Sequence, residues 1–332
     1  MVKHILDTRQ FKNREFLSAF YQRANEMEAA VRKGNNRGRH AEKVIGSLFY
    51  QRSTRTRFLM EAAVKRLGAH VTSTEDAITF SSEAKGESFE HTFLAIEDGY
   101  DAFMVRHPDS GAPRRIADVI HKPVINLGDG TNQHPVQALT DLYTIMHRFG
   151  RLDDLRIGFV GDIKHGRTVR SLAYLLAHLN DHRIYFVAPQ ELGLPDVMRD
   201  YLNSRETKFQ ETEDLDQVLK NVDILYVTRF QQEYEKDDDR VRQIMESCRK
   251  YQITPERADM MGERAVIMHP MPINRTKSDG YPEITPEVDK NSRAIYFRQS
   301  NNKLYVGMAL LDGLLNGSQD PIYRGVIDHT AQ

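Results

Sequence analysis

Residues 51–57 of the chain read Gln51-Arg52-Ser53-Thr54-Arg55-Thr56-Arg57. They stand between a predicted strand at residues 44–50 and a predicted helix that begins near Thr54. Hydroxyl groups, guanidinium groups and unpaired backbone N–H groups meet there at the positive end of a helix dipole, an arrangement that binds a phosphate. Taken alone, the stretch is equally well explained as an ordinary solvated helix start with incidental arginines.

Short apolar runs that are typical of buried strands alternate with helical segments on both sides of this stretch. The predicted strands are 44–50, 69–73, 101–106 and 123–127 in the first half, and 155–161, 183–187, 222–228, 265–268 and 294–297 in the second. This alternation predicts an α/β fold with two doubly wound domains, each built on a mostly parallel sheet.

The length of 332 residues leaves room for two domains. A predicted helix at 135–149 has no break before Gly150, so we expect the domain boundary to lie along it. The first domain is expected at 1–146 and the second at 147–303, joined by bridging helices. A C-terminal helix at 304–325 is expected to return to the first domain.

Composition excludes several classes of function. The formal net charge of −1 gives no global sign of a nucleic-acid partner or an acidic membrane. No apolar run reaches about 18 residues, and the N-terminus lacks the apolar core of a signal peptide, so we expect no membrane span and a cytoplasmic location. The single cysteine, Cys248, excludes an internal disulfide and has no recognisable catalytic context. No His, Cys or carboxylate pair recurs at metal-ligand spacing, so we expect no metal.

Cationic and hydrogen-bonding side chains follow several predicted strands, at the ends where ligands bind in open α/β sheets. The stretches are Arg106-His107-Pro108, 129–137, 161–168, 226–231 and His269-Pro270-Met271-Pro272. Stretch 161–168 lacks the G-x-G-x-x-G spacing, which disfavours a Rossmann-type cofactor. The two prolines of the last stretch are compatible with a cis peptide. His134, taken alone, is as readily a hydrogen-bonding residue at a helix start as a catalytic group. Together these stretches predict anionic substrates.

In order and spacing, four of these motifs resemble the aspartate/ornithine carbamoyltransferase family over nearly the whole chain. The motifs are Ser53-Thr54-Arg55-Thr56-Arg57, Arg106-His107, His134-Pro135-Val136-Gln137 and His269-Pro270-Met271-Pro272. The aspartate branch of the family is matched by Lys85-Gly86-Glu87, Gly161-Asp162 with Gly166-Arg167-Thr168, and Thr228-Arg229 with Gln231. Arg167, Arg229 and Lys85 would suit a dicarboxylate and would repel the side-chain ammonium of ornithine.

The resemblance implies transfer of the carbamoyl group of carbamoyl phosphate to the α-amine of L-aspartate, in pyrimidine biosynthesis. The implied products are N-carbamoyl-L-aspartate and phosphate, with no cofactor and no covalent enzyme intermediate. The leaving phosphate is the expected proton acceptor. Catalysis would then consist of positioning and electrostatic stabilisation.

The resemblance also implies a role for each matching residue. The carbamoyl phosphate ligands would be Ser53, Thr54, Arg55, Thr56, Arg106, His134, Gln137, Pro270 and Met271. Arg55, Thr56, Arg106 and His134 would be the catalytic residues, and the last three of them would polarise the carbamoyl oxygen. Gln137 and the backbone carbonyls around Pro270 and Met271 would hold the carbamoyl NH₂ group. The aspartate ligands would be Arg167, Arg229, Gln231 and Lys85.

Ser81 and Lys85 match a loop that reaches into the neighbouring subunit's site in this family, so the resemblance implies a homotrimer with shared active sites. The sequence does not show whether regulatory chains attach.

The sequence departs from the family pattern at three places. Gln51-Arg52 replace a glutamate and a proline, His165 replaces a common tyrosine, and Ile273 replaces an arginine and is followed by an insertion at 274–282. All three leave the phosphate site intact and bear on the acceptor. Two alternatives therefore stay open: a paralogous carbamoyltransferase that uses a different acidic amine, and a catalytically silent homologue that acts as a binding or regulatory subunit.

Overall fold

A computed structural model describes residues 3–35, 38–77, 86–275 and 282–326. The chain divides into two compact units, one made of Met1–Tyr143 with Asn301–Gln332 and the other of Thr144–Ser300. The divisions fall within two helices, Pro135–Phe149 and Tyr296–Leu315. Within the described ranges, no helix has both the length and the apolar character needed to cross a membrane.

The first unit is built on a parallel four-stranded sheet with the strand order β2-β1-β3-β4. Its strands are β1 (Val44–Phe49), β2 (His70–Glu75), β3 (Ala102–His107) and β4 (Val124–Asp129). Its helices include α1 (Arg14–Lys33), α2 (Arg55–Arg66), α3 (Phe89–Ile96) and α4 (Ala112–Ala117), and it contains the start of α5 (Pro135–Phe149). The chain reverses its direction of winding between β1 and β3, which makes the carboxyl ends of these strands the expected ligand site.

The strands of the first sheet differ in burial. The central strands β1 and β3 and the strand β4 are mostly apolar and almost wholly buried, whereas the edge strand β2 has only exposed and half-buried residues. An aromatic cluster covers one face, where Phe93 packs edge-on against Phe89 and Phe103. Parallel strands that are covered on both faces require such continuous apolar runs.

The second unit is built on a parallel five-stranded sheet with the strand order β7-β6-β5-β8-β9. Its strands are β5 (Arg156–Val160), β6 (Arg183–Val187), β7 (Lys208–Thr212), β8 (Ile224–Val227) and β9 (Val266–Met268). Its helices include α6 (Arg167–Leu176), α7 (Asp196–Ser204), α8 (Leu215–Leu219), α9 (Asp238–Arg249) and α10 (Pro255–Asp259). The winding reverses here between β5 and β8. The predicted α/β fold with two parallel sheets is confirmed.

Two sequence predictions fail near the C-terminus. The predicted strand at 294–297 is wrong, because Tyr296 begins α11 (Tyr296–Leu315) and Ala294 makes only an isolated bridge to Ile267. The expected helix at 304–325 is not one helix. After α11 the chain forms a 3₁₀ turn at Gly317–Gln319, and α12 (Pro321–Gly325) follows. A proline can begin a helix but cannot continue one, which explains the second start.

Candidate active site

The first candidate site lies at the carboxyl ends of β1 and β3. Phe49 pairs with Arg106 in the sheet, and the backbone N–H of Tyr50 donates to the carbonyl of Arg106 at 2.8 Å. The loop that leads from β1 to α2 therefore begins beside Arg106. Its residues Ser53 and Thr54 precede the helix, which starts at Arg55. The sequence prediction of an anion site at this junction thus falls at the switch point of the sheet.

The amino end of α2 offers backbone N–H groups to a ligand. Thr54 is the N-cap residue, and its side chain makes no capping hydrogen bond. The N–H of Ser53 lies 3.3 Å from Oε1 of Glu75, so an acidic group already approaches this helix end. Arg57 is paired with carboxylates, at 2.6 Å from Glu75 and 3.0 Å from Glu61. Arg57 therefore holds α2 in place through these ion pairs. The other residues of the motif, 53–56, are the ones suited to bind an anion.

His134 has a tautomer fixed by the start of α5. The backbone N–H of Gln137 donates to Nδ1 of His134 at 3.3 Å. In the neutral ring the hydrogen must then reside on Nε2, which can donate to a substrate oxygen. His134 is only 4% exposed, so that donor acts in a largely dehydrated setting.

Gln137 is oriented by a carboxylate that sequence reasoning missed. Its Nε2 donates to Oδ1 of Asp141 at 2.7 Å, and both side chains are buried. Because the amide NH₂ is engaged by Asp141, the amide oxygen is the end available to a ligand. That oxygen can accept a hydrogen bond from an NH₂ group.

In the second unit, a turn held by His269 presents the carbonyls of Pro270 and Met271. Met271 has a φ of 58°, and its N–H donates to Nδ1 of His269 at 2.8 Å. The other ring nitrogen of His269 lies 2.8 Å from Oε1 of Glu283. The peptide bond between Met271 and Pro272 is cis, as the sequence allowed. Glu283, which follows the insertion, was not predicted to take part.

The second switch point, between β5 and β8, is organised by Asp162. Gly161 directly follows β5, and a Cβ atom there would lie 2.2 Å from the carbonyl oxygen of Thr228, which directly follows β8. The fully buried carboxylate of Asp162 accepts the backbone N–H of His165 at 2.9 Å and that of Gln231 at 3.0 Å. The loop that leads to Arg167 and the segment that carries Gln231 are therefore held by one side chain.

Arg167 and Arg229 share an acidic neighbour in this unit. Nη1 of Arg229 lies 3.0 Å from Glu233, and its Nη2 makes a second, shorter contact with the same carboxylate. Burial alone would raise the pKa of Glu233, but the hydrogen bond and charge of Arg229 and the charge of Arg167 hold that pKa below its ordinary value. The positive charges of both arginines therefore act on a carboxylate at this place, and Arg229 binds that carboxylate directly, which suits the binding of a carboxylate ligand. The sequence indicated only a solvated charged run at Glu233.

The structure gives each departure from the family pattern a local context. The side chain of Arg52 is 86% exposed and lies 3.8 Å from Asp76. The ring of His165 lies 3.2 Å from Asp162 and stacks on Tyr234. Ile273 is buried in the hydrophobic core of the second unit.

The structure places the predicted site residues in two groups. Ser53, Thr54, Arg55 and Thr56 follow β1, Arg106 lies near the carboxyl end of β3, and His134 and Gln137 lie at the start of the helix that follows β4. In the second unit, Arg167, Arg229 and Gln231 follow β5 and β8, and Pro270 and Met271 follow β9. Ser81 and Lys85, and residues 276–281 of the insertion, lie outside the described residues.

Two parallel sheets whose switch points carry cationic and hydrogen-bonding side chains define a two-domain α/β protein that binds anionic ligands. Residues 3–147 match the aspartate/ornithine carbamoyltransferase carbamoyl-P binding domain, and residues 153–314 match the Asp/Orn binding domain of the same family. The chain belongs to the aspartate/ornithine carbamoyltransferase family, which confirms the resemblance seen in its motifs.

Individual relatives match this chain over nearly its full length. Aspartate carbamoyltransferase 1, chloroplastic, of Pisum sativum is 44% identical over 315 residues, which cover 94% of this chain and 78% of the relative. The catalytic subunit of M. jannaschii aspartate transcarbamoylase has a TM-score of 0.84 at 38% identity, covering 96% of this chain and 99% of that one. Trypanosoma cruzi aspartate transcarbamoylase, solved with carbamoyl phosphate and aspartate, has a TM-score of 0.84 at 30% identity, covering 93% of this chain and 94% of that one.

Proposed function

We propose that the protein transfers the carbamoyl group of carbamoyl phosphate to the α-amine of L-aspartate, forming N-carbamoyl-L-aspartate and phosphate in pyrimidine biosynthesis. The observation that carries this proposal is the ion pair of Arg229 with the carboxylate of Glu233 at 3.0 Å, close to Gln231 and within reach of the positive charge of Arg167. Such a pair of guanidinium groups suits a dicarboxylate acceptor and disfavours a diamine. Relatives named aspartate carbamoyltransferase support the same acceptor.

Carbamoyl phosphate binds to the first domain, residues 1–146 completed by 304–325. Ser53, Thr54, Arg55 and Thr56 hold the phosphate at the amino end of α2, where the helix dipole and unpaired N–H groups favour a dianion. Arg106 adds a second guanidinium from the adjacent strand. Arginine binds phosphate oxygens through two parallel N–H donors, which fixes the orientation as well as the charge.

The carbamoyl group is held at both ends of its dipole. Nε2 of His134, the hydroxyl of Thr56 and Arg106 donate to the carbamoyl oxygen, while the amide oxygen of Gln137 and the carbonyls of Pro270 and Met271 accept from the NH₂ group. As the amine attacks the carbon, the oxygen gains negative charge and these donors bind it more strongly. The C–O bond to phosphate then breaks, and the leaving phosphate takes the proton of the amine.

Aspartate binds to the second domain, residues 147–303, through Arg167, Arg229 and Gln231. Lys85 and Ser81 are supplied by a neighbouring subunit, and the active protein is a homotrimer with shared sites, as the family resemblance implies. Oligomerisation is in keeping with relatives that are named as catalytic subunits. The cytoplasmic location stays a prediction, since the plant relatives are named chloroplastic.

The test is an acceptor panel. The purified protein is supplied with carbamoyl phosphate and, in turn, with aspartate, glutamate, ornithine and other amines, and the ureido product is measured. We expect turnover with aspartate and none with ornithine. Turnover with a different acidic amine alone would identify a paralogous carbamoyltransferase, and no turnover with any amine would identify a catalytically silent homologue.

A further inference from the structure

Lys303 is a buried lysine beside the phosphate-binding helix. It lies in α11, is 3% exposed, and its Nζ lies 3.4 Å from Oγ1 of Thr56. Thr56 is itself buried in the first turn of α2. Removing a charged ammonium group from water is unfavourable, so a lysine is seldom buried unless specific contacts hold it. The sequence pattern gave no role to this position.

Close packing of α11 against α2 creates the contact. Gly307 lies one turn after Lys303, and a Cβ atom there would lie 2.7 Å from Sδ of Met60 and 3.2 Å from Cβ of Ala63. Met60 lies one turn after Thr56, so Lys303 and Gly307 face the same side of α2. The absence of a side chain at Gly307 permits this close approach, and the longer side chain of Lys303 then reaches the amino end of α2.

The chemistry of this contact orients the Thr56 hydroxyl. An ammonium group has only donors, so Oγ1 of Thr56 must be the acceptor. A hydroxyl has a single hydrogen, which must then point away from Lys303 toward another acceptor. The positive charge of Lys303 also withdraws electron density from Oγ1 and strengthens the hydrogen bond that this hydroxyl donates.

We propose that Lys303 is a positioning residue for carbamoyl transfer, which acts by directing and polarising the Thr56 hydroxyl toward bound carbamoyl phosphate. The hydroxyl then donates to the carbamoyl oxygen as that oxygen becomes negative. This inference rests on the proposed function and on the role proposed there for Thr56. It assigns Lys303 no contact with the substrate.

The test is a double-mutant cycle. Lys303→Met keeps most of the side-chain length and removes both the donor and the charge, and Lys303→Gln keeps a donor without the charge. We expect Lys303→Met to lower kcat about tenfold or more while KM for aspartate changes less than about twofold, and Lys303→Gln to give a smaller loss. In a Thr56→Val background, Lys303→Met should cause no further loss, because the hydroxyl through which it acts is gone.

Lys43→Met is the matched control. Lys43 is a half-exposed lysine of the same unit that pairs with Asp101 at 2.9 Å and lies outside the proposed site. The kcat of Lys43→Met should match that of the unaltered protein. If Lys303→Met folds poorly, kcat is expressed per active site by titration with N-(phosphonacetyl)-L-aspartate, and Lys303→Gln supplies the comparison.

Two results would overturn the proposal: an unchanged kcat in Lys303→Met, or an equal loss from Lys303→Met with and without the Thr56 hydroxyl. Failure of the proposed function is recognised separately, because the unaltered protein would then form no N-carbamoyl-L-aspartate. In that case the proposal for Lys303 is tested by the affinity for carbamoyl phosphate, measured by calorimetry. Weaker binding in Lys303→Met than in Lys43→Met supports the action of Lys303 on Thr56, and equal binding contradicts it.

Discussion

The buried carboxylate of Asp162 accepts the backbone N–H of Gln231 at 3.0 Å, and so joins the two segments that follow β5 and β8. The same carboxylate accepts the backbone N–H of His165, two residues before Arg167. One side chain therefore sets the distance between the two elements that carry the proposed aspartate ligands. We therefore expect removal of the Asp162 carboxylate to weaken the binding of aspartate more than the binding of carbamoyl phosphate.

Asp162→Ala should raise KM for aspartate by about tenfold or more, because the N–H groups of Gln231 and His165 lose their acceptor. Loss of these two partly buried hydrogen bonds to a carboxylate should also lower the free energy of unfolding by about 1–3 kcal/mol. Steady-state kinetics and denaturant unfolding measure the two effects. Asp200→Ala, which removes an exposed carboxylate from α7 in the same unit, is the control and should change neither quantity. An unaltered KM in Asp162→Ala would show that this carboxylate does not position the aspartate site.

Arg229→Ala should weaken aspartate binding while carbamoyl phosphate binding stays intact. The guanidinium of Arg229 is the group expected to exchange Glu233 for a substrate carboxylate, and a bidentate pair of this kind is not replaced by other side chains. We expect KM for aspartate to rise at least about a hundredfold, equivalent to about 2.7 kcal/mol. Arg199→Ala is the matched control, since Arg199 forms a comparable pair with Glu211 in the same unit. Equal effects of the two substitutions would contradict the assignment.

Because of His182, we expect the stability of the second unit to fall in mild acid. Burial lowers the pKa of His182, whose Nδ1 accepts the backbone N–H of Leu155 at 3.3 Å. The unfolded chain takes up a proton near pH 6.5, before the folded protein does, so stability is fully present above that pH and declines as the pH falls through the lowered pKa.

The measurement compares urea unfolding at pH 7.5 and pH 5.5 for the unaltered protein and for His182→Gln. We expect the free energy of unfolding to fall less over this interval in the variant. The control is His121→Gln, because the side chain of His121 is 87% exposed. A pH dependence that is identical in all three proteins would rule out His182 as its source. His107 also has a pKa lowered by burial, but its contribution is present in every protein compared.

Much of the fold followed from the sequence because parallel strands that are covered on both faces are apolar along most of their length. The runs that became β1, β3, β4, β5 and β8 are of this kind. Strand β7 was missed, since it lies at the edge of its sheet and only Phe209 among its five residues is large and apolar. The run at 294–297 was misread as a strand because four apolar residues fit either a strand or the start of a helix.

Site residues could be predicted from the sequence where the chemistry of the side chain by itself indicates the role. Arginines and a histidine after strands indicate anion binding whatever the surrounding fold. Lys303 and Glu233 could not be found in this way, because each stands in a polar or charged stretch that is typical of a solvated surface. Only the packing of α11 on α2 shows that Lys303 is buried, and only the turn after β8 shows that Glu233 pairs with Arg229.

The central claim is that the junction of β1 and α2 binds carbamoyl phosphate, and calorimetric titration of carbamoyl phosphate into Arg55→Ala tests it most directly. Arg55 and Arg66 are the first and last residues of α2, so Arg66→Ala removes the same side chain from the opposite end of the same helix. We expect Arg55→Ala to weaken binding at least about a hundredfold, by about 2.7 kcal/mol, and Arg66→Ala to change it less than about twofold. An unchanged affinity in Arg55→Ala, in a protein that still folds, would contradict the claim.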